Sequence, residues 1–356
     1  MKLETYLKKY KIFLFAGNGG TGKTTLSATW ALEVAHRGQR VGLVTIDPSR
    51  RLGEAFGMNI LEDSYKRHKV GDSYVDIHLV HSAKIIKEFI VENFSEQQYQ
   101  TMTENKLFNQ VVTRLAENQS LSTIYKLSQL IHSTDYDIIV IDTPPAGHAV
   151  DFFRSPENAI RLFKENILAK TVFEGQGFAA KSAKKIFVQV LSFLTGAEFV
   201  KQMEVFFKGF FAFQEKIVEA AEHLTKVLSG EEVCYFLVTL PEPSKVQELT
   251  DVFEKLSQQG SRTMHLIVNR SHPDWFKFEK NLFSEHWPVA KNYYDKVYDY
   301  YDNQKMSLQK TSLQKTTDTK DNFGLSSPIY FIPEKNYFSK EISLDELRQT
   351  LNEVFV

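Results

Sequence analysis

The stretch "FLFAGNGGTGKTTLSATW", residues 13–30, decides the fold. An apolar run gives way to glycines, and Gly17, Gly22, Lys23 and Thr24 fit the phosphate-loop spacing Gly-x-x-x-x-Gly-Lys-[Ser/Thr]. Glycines at 17, 19, 20 and 22 leave the backbone free to turn successive N–H groups toward phosphate oxygens. Lys23 adds a point charge for the β- and γ-phosphates, and the Thr24 hydroxyl suits Mg²⁺. The candidate nucleotide-binding residues are therefore Gly17, Asn18, Gly19, Gly20, Thr21, Gly22, Lys23, Thr24 and Thr25.

Working outward, Leu26, Trp30 and Val34 lie four residues apart, one apolar helix stripe able to pack on a sheet. Apolar or β-branched runs recur at 11–16, 40–47, 74–80, 137–142, 233–239, 263–269 and 328–332. Runs without polar alternation mark strands covered on both faces, and helical segments separate them. The expected fold is α/β, a doubly wound and mostly parallel sheet in a single domain spanning 1–356. Two stretches lacking strand signals, about 84–132 and 152–228, predict an inserted helical subdomain. Residues 291–323, polar and holding the tandem "SLQKTSLQKT", predict a flexible loop.

The 356 residues carry 43 basic and 44 acidic side chains, so no overall basic field argues for nucleic acid or an anionic membrane. The only cysteine, Cys234, falls in the apolar run "VCYFLV" and reads as a buried strand residue. There is no run of 18 apolar residues and no signal-peptide pattern, so a cytoplasmic protein without stable membrane insertion is expected.

A phosphate loop needs a carboxylate for its metal. The segment "DIIVIDTPPAGH", 137–148, offers Asp142 at the end of an apolar strand, acting on the metal through water. The Pro/Gly-rich residues after it form a segment able to move with the γ-phosphate, while an ordinary turn-capping aspartate is the alternative reading. His148 in that segment reads as structural. A second strand ends in "VTIDPSRRLGEAF", 44–56, where Asp47 is placed to orient an attacking water; Asp-Pro is also a common turn opener.

With "LTGAEF", "TLPEPSKVQE", "IVNR" and "IYFIPEKN", these motifs resemble, in order and over nearly the whole chain, the ArsA-type ATPases. That family includes the arsenite-pump ATPases and the tail-anchored-protein targeting factors. The resemblance implies a P-loop NTPase of the deviant Walker A type, using ATP and Mg²⁺. It also implies a homodimer closing around two nucleotides, and a helical subdomain coupled to a protein partner or hydrophobic client. By it, Lys23 and Asp47 are catalytic, Asp142 opens a second switch, Asn269 bonds the adenine and Pro333 lies near the base. For Asn269 a plain strand-end turn residue remains the alternative.

Three departures from the family pattern stand out. Many relatives carry at position 18 a lysine that reaches the partner's phosphates, whereas Asn18 brings a hydrogen bond but no charge. Slow hydrolysis or a substitute cation follows, with Arg50 and Arg51 as sources or as ordinary solvated charges. One cysteine supplies too few soft ligands for arsenite capture, and the Cys-x-x-Cys pair of a zinc-bridged dimer is missing.

Between 152 and 213 lie 13 of the 28 phenylalanines. Phe199, Met203, Phe206, Phe210, Ile217, Val218, Ala221 and Leu224 keep roughly helical spacing. They form either a buried helix face or a groove for an apolar helix. The leading expectation is an ATP-hydrolysing dimeric switch. The alternatives are a nucleotide-sensing module with negligible hydrolysis and a partition- or division-site-type ATPase, although the C-terminal "ISLDELRQTLNEVFV" is amphipathic but acidic, a poor membrane binder.

Overall fold

The computed structural model describes residues 3–46, 52, 56, 65–80, 82–116, 119–164, 197–240, 252, 256–258, 263–271, 329–333 and 348. Asp47, Arg50, Arg51 and the expected loop 291–323 lie outside the described residues. The described strands are β1 Ile12–Gly17, β2 Val41–Thr45, β3 Tyr65–Val70, β4 Ser73–Leu79, β5 Ile138–Pro145, β6 Val233–Thr239, β7 Met264–Ser271 and β8 Ile329–Pro333. The helices are α1 Leu3–Lys9, α2 Lys23–His36, α3 Ser82–Asn93, α4 Glu96–Glu104, α5 Lys106–Ala116, α6 Gln119–His132, α7 Ala146–Lys164 and α8 Ala197–Leu228.

The strands form one sheet in the order β3-β4-β2-β5-β1-β6-β7-β8. Every neighbouring pair is parallel except β3 with β4. All residues of β1, β2 and β6 are buried, which is why their sequences show no polar alternation. On one face Phe13, Phe15 and Phe236 meet Trp30 of α2 and Tyr6 of α1, with Phe236 and Trp30 rings 4.9 Å apart at 61°. On the other, Leu14, Ile141 and Tyr235 are buried, and Phe153 of α7 lies edge-on to Tyr235. Helices thus cover both faces of an α/β sheet. Cys234 is buried in β6, and burial pushes its thiol well above the usual range.

Helix α2 is buried on more than the stripe Leu26, Trp30 and Val34. Ser27, Thr29 and Glu33 are enclosed too. The Thr29 hydroxyl donates to the Thr25 carbonyl, 2.7 Å, and the Glu33 carboxylate accepts from Arg37 at 3.0 Å and Arg348 at 3.1 Å. A charge taken out of water is kept by paired guanidiniums.

Strand β3 has no counterpart among the sequence runs. Its "YKRHKV" is largely exposed, because it is an edge strand that turns back into β4 through Gly71 and Asp72. Arg67 faces Asp76 across that pair with both nitrogen–oxygen contacts at 2.7 Å, and its guanidinium lies 3.9 Å from the Tyr74 ring centre. Charged residues on such an edge discourage further strand pairing.

The chain divides into two compact units, one of residues 1–79, 134–153 and 227–356, the other of 80–133 and 154–226. The described elements of the second are all helices. Within it Phe89 of α3 packs edge-on to Tyr125 of α6, 4.7 Å between centroids, and to Phe213 of α8 at 5.0 Å. A capping box of Ser95 and Gln98 starts α4, and the Asn105 side chain accepts from the Phe108 N–H at the head of α5, 2.9 Å. Among the described residues no helix is long and apolar enough to cross a membrane.

Candidate nucleotide site at the ends of β1 and β5

Strand β1 is the switch point of the sheet, because the chain leaves it for β2 on one side and later supplies β6 on the other. At its end Gly17 runs tight against β6: a Cβ there would lie 2.0 Å from the Val238 carbonyl oxygen. At the other end of the loop Gly22 has φ 88°, a left-handed conformation that favours glycine, and α2 begins at the next residue. First-turn N–H groups of a helix so placed suit an anion.

Between these glycines the loop closes on one main-chain oxygen. The Asn18 carbonyl accepts from the Lys23 ammonium and from the Thr21 hydroxyl, each at 2.9 Å. Lys23 is buried and Asn18 wholly buried, whereas Gly19, Gly20 and Thr25 are exposed. Asn269, on β7, donates its amide to the Thr21 carbonyl at 2.8 Å and so stands against the loop. Pro333 ends β8 and registers with Ser271 of β7, two residues past Asn269.

Asp142 lies on β5, the fourth strand from the β3 edge, in register with Phe15 of β1 and Thr45 of β2. It is wholly buried, and its Oδ2 accepts from the Thr24 hydroxyl at 2.8 Å and from the Thr45 hydroxyl at 3.0 Å. A buried carboxylate needs such donors. Beyond it, the Thr143 hydroxyl donates to the Phe15 carbonyl, 2.9 Å, and the β1–β5 register shifts between Phe15 and Gly17. The Pro/Gly-rich segment is continuous regular structure: β5 extends through Pro145 and α7 starts at Ala146, carrying His148 in its first turn.

The structure therefore brings Lys23, Thr24, Asp142 and Asn269 to one end of the sheet. Thr45 was missed in the sequence, since its partner is 97 residues away and only the strand order makes them neighbours. A threonine hydroxyl beside a buried carboxylate is a hard-oxygen set that fits Mg²⁺. Among the described residues no group of three or more His, Cys, Asp or Glu is placed to hold a metal.

In the helical unit the Phe-rich pattern of α8 splits in two. Phe213, Ile217, Ala221, Leu224 and Leu228 are buried at intervals of three or four residues. Met203, Phe206, Phe207 and Phe210 are only half-buried, and Phe199 is 40% exposed. Beside that half lies a groove of about 350 Å³ whose lining includes Phe94, Met102, Val205, Gly209 and Ala212.

A model of the family described as "Anion-transporting ATPase", ArsA_ATPase, matches residues 10–317. Among curated relatives, "Putative arsenical pump-driving ATPase 2" of Aquifex aeolicus is 22% identical over 310 residues, 85% of this chain and 92% of that protein. "ATPase GET3" of Malassezia globosa is 24% identical over 263 residues, 74% of this chain and 73% of its own. "ATPase ASNA1 homolog" of Dictyostelium discoideum is 22% identical over 296 residues, 83% and 82%. The match takes in the phosphate loop, Asp142 and Asn269, and the chain belongs to the anion-transporting ATPase family.

Proposed function

We propose that the chain is a Mg²⁺-dependent ATPase, a homodimeric switch whose nucleotide state controls a protein partner or hydrophobic client. The observation that carries this reading is the 2.8 Å bond from Thr24, next to Lys23 in the loop, to buried Asp142. Phosphate-binding and metal-binding groups share one point of the sheet.

In this reading Lys23 and the loop N–H groups hold the β- and γ-phosphates, and the Thr24 hydroxyl and Asp142, through water, hold the metal. Bound Mg²⁺ supplies charge neutralisation on the phosphate oxygens. Asp47, which follows β2 by two residues, orients the water. The water oxygen bonds to the γ-phosphorus as the bond to the β–γ bridging oxygen breaks, and ADP and phosphate leave. Asn269 and Pro333, on the neighbouring strands β7 and β8, are the base-side residues in this reading and favour ATP over GTP.

Asn18 is buried inside its own loop, so residue 18 supplies neither charge nor reach toward a partner subunit. Hydrolysis is accordingly slow unless Arg50 or Arg51 brings a cation, since a trans-acting one is worth ~10³ to 10⁵ in rate. The same residue favours the second reading, a nucleotide sensor with negligible hydrolysis, and single-turnover phosphate release separates the two. The half-exposed aromatic end of α8 and its groove are the surface for the client.

The site is tested by Lys23→Ala. Truncating a buried charge that meets an anion costs ~2 to 5 kcal/mol, so Mg-ATP affinity falls about 30-fold or more by calorimetry. The fold persists, because the Asn18 carbonyl keeps the Thr21 hydroxyl. Unchanged affinity overturns the site.

A further inference from the structure

We infer that Thr45 is a positioning residue for Asp142, the metal-binding carboxylate. The inference rests on the ATPase reading above. Thr45 is the last residue of β2 and is buried, 2% exposed. It donates at 3.0 Å to the same Asp142 oxygen that receives Thr24 at 2.8 Å.

A carboxylate held by one hydroxyl can still turn about its Cβ–Cγ bond. Two donors from different elements meeting on one oxygen fix that rotation, because the oxygen must stay where both bonds are made. Thr24 comes from the phosphate loop and Thr45 from β2, so the carboxylate is oriented from both sides. Groups that orient a metal's ligands or their water partners typically account for ~10- to 100-fold in metal affinity.

The main chain adds a second tie. The Ile46 N–H donates to the Asp142 carbonyl at 3.0 Å, extending the β2–β5 ladder one residue past the strand. Side chain and backbone at 45 and 46 are therefore both bound to Asp142, and Asp47 is the next residue. A purely structural threonine, by contrast, fills space and adds strand propensity, roles that valine performs as well.

That difference defines the test, in which ATP binding is titrated with and without Mg²⁺ for the wild type, Thr45→Val and Thr45→Ser. Thr45→Val keeps the shape and loses the hydroxyl. The expected result is that Thr45→Val leaves ATP affinity in EDTA unchanged, while the Mg²⁺ concentration for half-maximal tightening rises ~10-fold or more. Thr45→Ser restores the metal response, and kcat falls with valine more than KM rises. If Thr45→Val does not fold, Thr45→Ala read against Thr45→Ser decides the same point, since both lose the methyl and only alanine loses the hydroxyl. A wild-type metal response in the hydroxyl-free variant overturns the inference while leaving the ATPase reading intact. Absence of any Mg²⁺-dependent ATP binding in the wild type overturns both.

Discussion

The loop from Gly17 to Thr24 is held by point contacts, and helix α8 is held by area. In the loop, Lys23 and Thr21 share the Asn18 carbonyl, Asn269 takes the Thr21 carbonyl and Thr24 takes Asp142, all at 2.8 to 2.9 Å. Along α8 the residues from Phe213 to Leu228 that face inward are enclosed, whereas Phe199, Met203, Phe206, Phe207 and Phe210 remain open or half-buried. The lesson is one of tolerance. A loop closed by bonds of fixed length fails at single atoms, and a helix packed by apolar area fails by degrees along its length.

The largest effect is expected where the loop meets the sheet. In Gly17→Ala the new carbon falls 2.0 Å from the Val238 oxygen and 2.9 Å from its carbonyl carbon, main-chain atoms of a buried strand that no rotamer change can move. A loss of about 4 kcal/mol or more is expected in denaturant unfolding, at the exceptional end of single substitutions. Gly22→Ala meets only the rotatable Asn269 amide at 2.5 Å, and its left-handed φ costs about 1 to 2 kcal/mol. Equal losses at the two glycines would show that close approach to β6 is not what holds the loop.

The same contrast governs what the sequence revealed. Strands β1, β2 and β6 were legible because they are buried along their whole length, and burial writes itself into a continuous apolar run. β3 was not, because an edge strand needs polar residues, and "YKRHKV" looks like solvated chain until Asp76 is seen opposite Arg67. In the site, the glycine spacing and Lys23-Thr24 are local and stood out at once. Thr45 is joined to Asp142 only because β2 and β5 are neighbours, a fact of strand order that no spacing encodes. The Phe-rich helix was recognisable as a stripe, but a period says which residues share a face and not where along the helix the cover stops.

That boundary gives the next prediction. Phe213 is wholly buried against Phe89, so Phe213→Ala leaves a cavity and costs about 3 to 5 kcal/mol. Phe206 is half-buried, stacked on Phe210 with centroids 5.6 Å apart, and Phe206→Ala costs about 1 kcal/mol. Chemical denaturation of both variants sharpens the comparison. Similar losses would place the two halves of α8 in the same core.

The smallest effect on stability belongs to Phe199, which begins the open half of the helix. At 40% exposure Phe199 gives up less solvent contact on folding than the half-buried rings beside it, so Phe199→Ser costs less than Phe206→Ala, under about 1 kcal/mol. Serine removes the aromatic surface while keeping a small side chain near the start of α8, where it does little harm to the helix. If the open half receives an apolar client, that substitution weakens binding of a fluorescent apolar helical peptide while the unfolding curve stays in place. A matching change on the closed half, Phe213→Ala, does the opposite and moves the unfolding curve first. Peptide binding that is untouched by Phe199→Ser removes this end of α8 from the client surface. An unfolding loss above about 2 kcal/mol shows instead that Phe199 is anchored like the buried half, because a partly exposed ring contributes only part of the ~1.5 to 3 kcal/mol of full burial.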